Sequence, residues 1–235
     1  MFTNAVVTKL KKMVSESIDA TRSKFPDRDA WRKLDADGIW KIVVYQVAVV
    51  GGSASYERLV NSATAQSSLH YDNLDPDDPG CLEQINYILR SHGVRYASSD
   101  VKKCAKSKAL LRNLEFLKNF PGGPTGYMIH LSKLPEPVRI NKVMQDFSYI
   151  KHKGARDLLA ELGLAVDIIA LDTRVLGILR GLGADVPENT PNDDEQYLAI
   201  QQALLTQVCK PLGITGVELD RILYWNHDKF KSRRY

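Results

Sequence analysis

Between Ala5 and Ile18 the apolar residues Val6, Leu10, Met13, Val14 and Ile18 recur at three- and four-residue intervals with lysines and acids between them, the period of an amphipathic helix. After the turn-rich Phe25-Pro26-Asp27, Trp31 and Leu34 lead into a long apolar run, Ile39 to Val50. Its β-branched content suits a buried strand and its length a buried helix, and periodicity leaves both open. Leu82 to Leu89 and Val101 to Lys118 read as helices. Downstream, Leu158, Leu159 and Leu162 share a face of a helix that Gly163 ends. Asp172 or Thr173 caps the next, which bears Val175, Leu176, Leu179 and Leu182 and closes at Gly183. Tyr197, Gln201, Leu204 and Val208 outline another, stopped by Pro211, and Thr215-Gly-Val-Glu218 is a capping box that opens a helix with Leu219, Ile222 and Leu223. No hairpin turn, strand pair or internal repeat is visible. The expected class is all-α.

Phe120-Pro-Gly-Gly-Pro-Thr-Gly126 is the strongest cluster of helix breakers. It divides the chain into expected lobes of 25–120 and 127–235, with a first helix, 1–22, able to pack on either. Between Asp72 and Gly80 four aspartates and two prolines read as a solvated connection, because the segment lacks the glycine and distal glutamate of a calcium loop.

At 235 residues, 44% apolar and 26% charged, the chain can bury a sizeable core. Its net charge of +4 admits an anionic partner without the excess of a histone-like protein. Lys102, Lys103, Lys106, Lys108, Arg112 and Lys118 make Val101–Lys118 the most basic stretch, which reads either as a phosphate-facing surface or as a solvated helix face. Cys81, Cys104 and Cys209 are odd in number and far apart, so neither a disulfide framework nor a CxxC metal spacing is expected. Ile39 to Gly52, which carries Lys41, is shorter than the roughly 20 residues of a membrane helix, and the N-terminus lacks an apolar signal region. These features lead to the expectation of a soluble intracellular protein.

The chain has no GxGxxG opening a helix, no GxxxxGK[ST], no GxSxG and no HExxH, and its five histidines are scattered. No metal or organic cofactor is expected. What remains is Lys151-His152-Lys153 at a helix start, followed by Leu162-Gly163 and the apolar run Ile168 to Leu171 that ends in Asp172. Lys153 and Asp172 are separated by one helix and one loop, a spacing that can place an amine and a carboxylate on two sides of one cleft.

The segment Lys153-Gly-Ala-Arg-Asp-Leu-Leu-Ala-Glu-Leu-Gly163 followed by Ile169-Ala-Leu-Asp172-Thr-Arg-Val-Leu resembles the catalytic segment of the helix-hairpin-helix DNA glycosylases, most of all the short archaeal and bacterial 8-oxoguanine glycosylase/lyases. The likeness runs through Tyr197-Leu-Ala-Ile and Leu212-Gly-Ile-Thr-Gly-Val-Glu-Leu-Asp to Tyr224-Trp225, covering roughly Phe147 to Trp225. The resemblance implies a single glycosylase-like domain of two helical lobes, with the damaged base extruded from the duplex because it cannot be reached inside the stack. It makes Lys153 the amine that attacks C1′ and forms a Schiff base, and Asp172 the carboxylate that stabilises charge on the sugar. A free lysine is only about 0.04% neutral at pH 7, so this amine must shed its proton with help from its surroundings.

The same resemblance marks Gln46 as a pocket or wedge residue, Trp225 as a platform for the extruded base, and Lys151 and His152 as phosphate contacts. The partner it implies is double-stranded DNA with a damaged base, bound by a monomer away from any membrane. Two glycines that the family carries in its hairpin are replaced here by Tyr149 and Lys151, and the four-cysteine iron–sulfur motif of some relatives is missing, so no cluster is expected. A noncatalytic helix-hairpin-helix DNA-binding module and a helical interaction protein are the alternatives.

Overall fold

The computed structural model describes residues 2–188, 190 and 193–232. In chain order its helices are α1 (Asn4–Ser15), α2 (Ile18–Thr21), α3 (Ala36–Ala48), α4 (Ser53–Val60), α5 (Ala63–Ser68), α6 (Cys81–Ser91), α7 (Ala105–Asn119), α8 (Gly123–Ser132), α9 (Glu136–Asp146), α10 (His152–Glu161), α11 (Thr173–Gly181), α12 (Asp194–Leu204), α13 (Lys210–Leu212), α14 (Gly216–Trp225) and α15 (His227–Ser232). Among the described residues there is no β-strand, and the expected all-α class holds. The run from Ile39 resolves as helix α3, which Asp35 opens by accepting a bond from Gly38 N–H.

The chain divides into two compact units, and the division differs from the expected one. Unit A joins the chain up to Arg28 to the chain from Ala165 onward, whereas unit B is Asp29–Leu164. The breaker cluster at Phe120–Gly126 is therefore no boundary; it is a tight turn between α7 and α8 inside unit B. Gly126 is needed there because a Cβ would stand 2.0 Å from the Pro121 carbonyl oxygen. The aspartates between Asp72 and Gly80 are solvent-exposed, as a connection requires.

In unit A, Val6, Leu10, Met13 and Val14 of α1 pack into one apolar core with Val175, Leu176 and Leu179 of α11, Tyr197 and Ile200 of α12, and Leu219, Ile222 and Leu223 of α14. The first helix thus belongs with the end of the chain. Asn226 donates to Thr21 Oγ1, and Lys229 to Ser17 Oγ, fastening the two chain segments at their polar edge. The expected capping box is present at Thr215 and Glu218. Pro211 does not stop α12 outright: the helix passes through a π turn at Leu205–Cys209 into α13 and ends where Gly213 turns left-handed.

Unit B centres on α3, whose Trp40 is fully buried and donates through Nε1 to the Leu69 carbonyl. Its two chain ends are stitched together by Asp29 N–H to Gly163 O and Trp31 N–H to Leu162 O. Phe116, Phe120, Tyr127 and Phe147 stack edge-on or tilted, and Tyr127 donates to Asp146 Oδ2 within that cluster. The basic stretch is not one uniform face. Lys106 is 0% exposed, and its Nζ donates to the carbonyls of Ala48 and Val50 at 2.9 and 2.7 Å, satisfying the C-terminal end of α3. Lys102, Lys103, Lys108 and Lys118 are exposed.

Burial pushes the Lys106 amine down to about 8 against 10.5 in the unfolded chain, with the Cys104 thiol opposing the shift. Between those values the unfolded chain binds more protons than the folded one, so stability rises with pH across that window. Wild type should gain unfolding free energy relative to Lys106→Met as pH rises from 8 to 10; denaturant titrations at several pH values check this, and a constant difference would mean that the buried amine does not titrate in this window.

Candidate functional site

The Lys153 end of the site is built by a hairpin between α9 and α10. Phe147 and Ile150 bury their side chains on either side of the turn, which anchors both of its arms. Between them, Ser148 is held by a buried amide from α7: Asn113 Nδ2 donates to Ser148 O, and Ser148 N–H donates to Asn113 Oδ1 at 2.7 Å. Asn113 is itself fully buried, so this pair fixes the hairpin backbone in the way a neighbouring strand would.

Tyr149 follows with φ of 69°, in the left-handed region. The hairpin therefore adopts at Tyr149 a conformation that a glycine takes up freely, and bears the strain of a side chain there, about 1–2 kcal/mol. Lys151 comes next, exposed and extended, as the residue before α10; no side chain caps that helix. Its partial positive end and the Lys151 ammonium together form a setting suited to an anion.

Lys153 lies in the first turn of α10 and is ion-paired with Asp157 one turn on. Arg156, almost wholly buried, donates to the His152 carbonyl and fixes the helix start from below. Gln46 of α3 is 9% exposed, and its Oε1 is buried without a hydrogen-bond partner. That oxygen lies 3.9 Å from where a Cβ on Gly154 would stand, so it looks onto the same first turn of α10. A side chain buried to this degree does not project from the surface as a wedge would.

Asp172 belongs to unit A, and its framing is equally specific. The segment before it runs through the core, where Tyr197 Oη accepts from Leu171 N–H and donates to Ile169 O, and Gln201 Oε1 accepts from Ile169 N–H. Asp172 then caps α11 with a single oxygen: Oδ1 accepts from the N–H groups of Arg174 and Val175 at 2.9 and 2.8 Å. Oδ2 takes no part in the cap, which leaves half of the carboxylate for other work.

Trp225, at the end of α14 in unit A, is 56% exposed, not a core residue. Lys24 stands 5.2 Å from its ring, Tyr224 meets it edge-on, and the Arg174 guanidinium lies over Tyr224 at 4.5 Å. Alternating aromatic and cationic groups of this kind suit a nucleic-acid base and backbone. The structure thus gathers Gln46, Lys151, His152 and Lys153 around one helix start in unit B, and Asp172 and Trp225 at two helix ends in unit A. Asn113 and Asp157 escaped the sequence reading. The aspartate stands at the i+4 position that signals a helix ion pair, whereas nothing local marks the asparagine.

Among the described residues no group of three or more histidines, cysteines or acids is placed to hold a metal ion, and no helix is long and apolar enough to cross a membrane. The three cysteines are buried and unbridged.

No protein-family model and no curated protein sequence matches the chain. Solved structures do. The 8-oxoguanine DNA glycosylase of Thermotoga maritima superposes with a TM-score of 0.67 at 17% identity, covering 97% of this chain and 96% of that one. The 8-oxoguanine DNA glycosylase of Methanocaldococcus jannaschii gives 0.65 at 14% identity, covering 94% of this chain and 92% of that one. The same archaeon's 8-oxoguanine glycosylase/lyase, in complex with a 15mer DNA containing 8-oxoguanine, gives 0.65 at 15% identity, covering 96% of this chain and 97% of that one. The chain shares the all-α fold of these DNA glycosylases. Within that class it resembles the archaeal and bacterial 8-oxoguanine glycosylases.

The strain at Tyr149 is open to a paired test. Tyr149→Asn and Tyr149→Val both lose the ring, but asparagine tolerates the left-handed region and valine does not. The asparagine variant should be more stable by about 1 kcal/mol in thermal unfolding; equal stabilities would mean that the hairpin is not held in that conformation.

Proposed function

We propose that the chain is a DNA glycosylase and abasic-site lyase that removes an oxidised purine, 8-oxoguanine first among them, from duplex DNA, acting as an intracellular monomer. The observation that carries this reading is the glycosylase fold together with Lys153 in the first turn of the helix after its hairpin and Asp172 as the N-cap of α11.

In this mechanism the extruded nucleotide presents C1′ to Lys153 Nζ. The neutral amine attacks C1′ and the C1′–N9 bond breaks; the base leaves with the bonding pair and takes up a proton. The new C–N nitrogen gives up one proton, the C1′–O4′ bond breaks as O4′ takes up a proton so that the sugar ring opens to a protonated Schiff base, and loss of a C2′ proton then expels the 3′ phosphate by β-elimination. Asp157 holds the ammonium in the resting state, which fixes the side chain but also means that Lys153 must leave this partner as it sheds its proton. Asp172 faces the positive charge that grows on the sugar through Oδ2, while Oδ1 keeps α11 capped. Lys151, His152 and the start of α10 bind a backbone phosphate, Gln46 Oε1 accepts a hydrogen bond from the base, and Trp225 stacks on it.

Borohydride trapping on an end-labelled duplex with one 8-oxoguanine tests the reading. Wild type should form a covalent adduct on damaged DNA only, and Lys153→Gln none; a fully active glutamine variant would sink the assignment. Asp172→Asn should retain the helix cap and its stability while excision slows about 100-fold, the scale of a lost electrostatic contact in the transition state.

A further inference from the structure

Tyr96 carries its ring on the surface, 66% exposed, yet its backbone has φ of 63° in the left-handed region. Strain of this kind persists only where the surroundings impose it, and here they do so on several sides. Gly51 packs so closely beneath the ring that a Cβ would stand 2.5 Å from Tyr96 Cε2. Arg95 donates to the Gly51 carbonyl at 2.6 Å, and its guanidinium lies 5.9 Å from the Tyr96 ring. Lys106, beneath the same ring at 5.9 Å, holds the carbonyls of Ala48 and Val50. The turn after α3 and the turn after α6 are thus locked into one projection, and Val50, the residue before Gly51, is 41% exposed.

The lock secures direction, not burial, since an exposed ring gains little from the protein around it. Its surroundings indicate what it is directed at. The Tyr149 phenol of the hairpin is raised above its ordinary value, first by burial and then by the charge of the Tyr96 phenol. Arg95, Lys102 and Lys103 are exposed on the adjoining turns. A rigid aromatic tip with an apolar neighbour and cations around it fits a step between base pairs, where apolar and aromatic side chains insert, with phosphates on either side.

We infer that Tyr96, backed by Val50 and Gly51, is the element that enters the duplex and occupies the space left by the extruded nucleotide. This rests on the reading of the chain as a DNA glycosylase. It transfers the wedge role from buried Gln46 to a side chain that can reach DNA. It also gives buried Lys106 a part in the process, since the carbonyls it holds keep the tip stiff enough to displace a stacked base.

The test uses 2-aminopurine beside 8-oxoguanine in a duplex, with Lys153→Gln protein so that no chemistry follows binding. At saturation Lys153→Gln should raise the 2-aminopurine fluorescence about threefold or more as the stack opens. Lys153→Gln/Tyr96→Gly should bind yet give less than about a third of that rise, and Tyr96→Leu should restore most of it. Tyr96→Gly should melt no lower than wild type, because glycine relieves the left-handed strain and the ring is exposed; a merely structural tyrosine would lower the melting temperature. A full rise with the glycine variant, or no rise with Lys153→Gln alone at saturation, overturns the proposal. Trapping of wild type on a duplex that already contains an abasic site needs no paired base to be displaced, so it reports the amine chemistry separately from the tip.

Discussion

A single buried amide governs the geometry of unit B around Lys153. Asn113, at the centre of α7, has no access to water, and its two hydrogen bonds are spent on one residue of the hairpin, Ser148. A buried amide left unpaired is destabilising by roughly 1–3 kcal/mol, so α7 and the hairpin hold each other in register. From that fixed point the left-handed turn at Tyr149, the extended Lys151 and the start of α10 follow in sequence. The position of the Lys153 backbone is in this sense decided on another helix.

Asp172 has a comparable frame of different chemistry. Tyr197 and Gln201, both on α12, hold the buried backbone before it, and the N–H groups of Arg174 and Val175 hold one of its oxygens. A carboxylate that caps a helix has little rotational freedom, and in the proposed mechanism the cap preorganises it for a charge that appears only during reaction. The cap and the proposed catalytic role can fall on the same residue without conflict because a carboxylate has two oxygens.

What the sequence made legible was local. The helical periods, the cap at Asp172 and the capping box at Thr215 depend on neighbours within a few residues, and all of them stand in the structure. The pairings that position the site are long-range: Asn113 with Ser148 is separated by 35 residues, and Lys106 with Ala48 by 58. Lys106 therefore read as one more charge in a basic stretch, and Gly126 as a breaker at a boundary, although a close approach to Pro121 is what requires it. Gln46 and Trp225 show the same limit. Period left Gln46 on a strand or a helix and Trp225 near the end of a helix, and only packing makes the glutamine buried and the tryptophan exposed.

Unit A is assembled from two pieces of chain with the whole of unit B inserted between them. A ribosome releases residues in order, so Asp29–Leu164 can complete its contacts while α1 still waits for its core partners in α11, α12 and α14. The amphipathic face of α1, with Val6, Leu10 and Met13, stays uncovered for that interval. The half of the molecule that carries Asp172 is consequently the last to mature, and a nascent chain holds its lysine in place before its aspartate is framed.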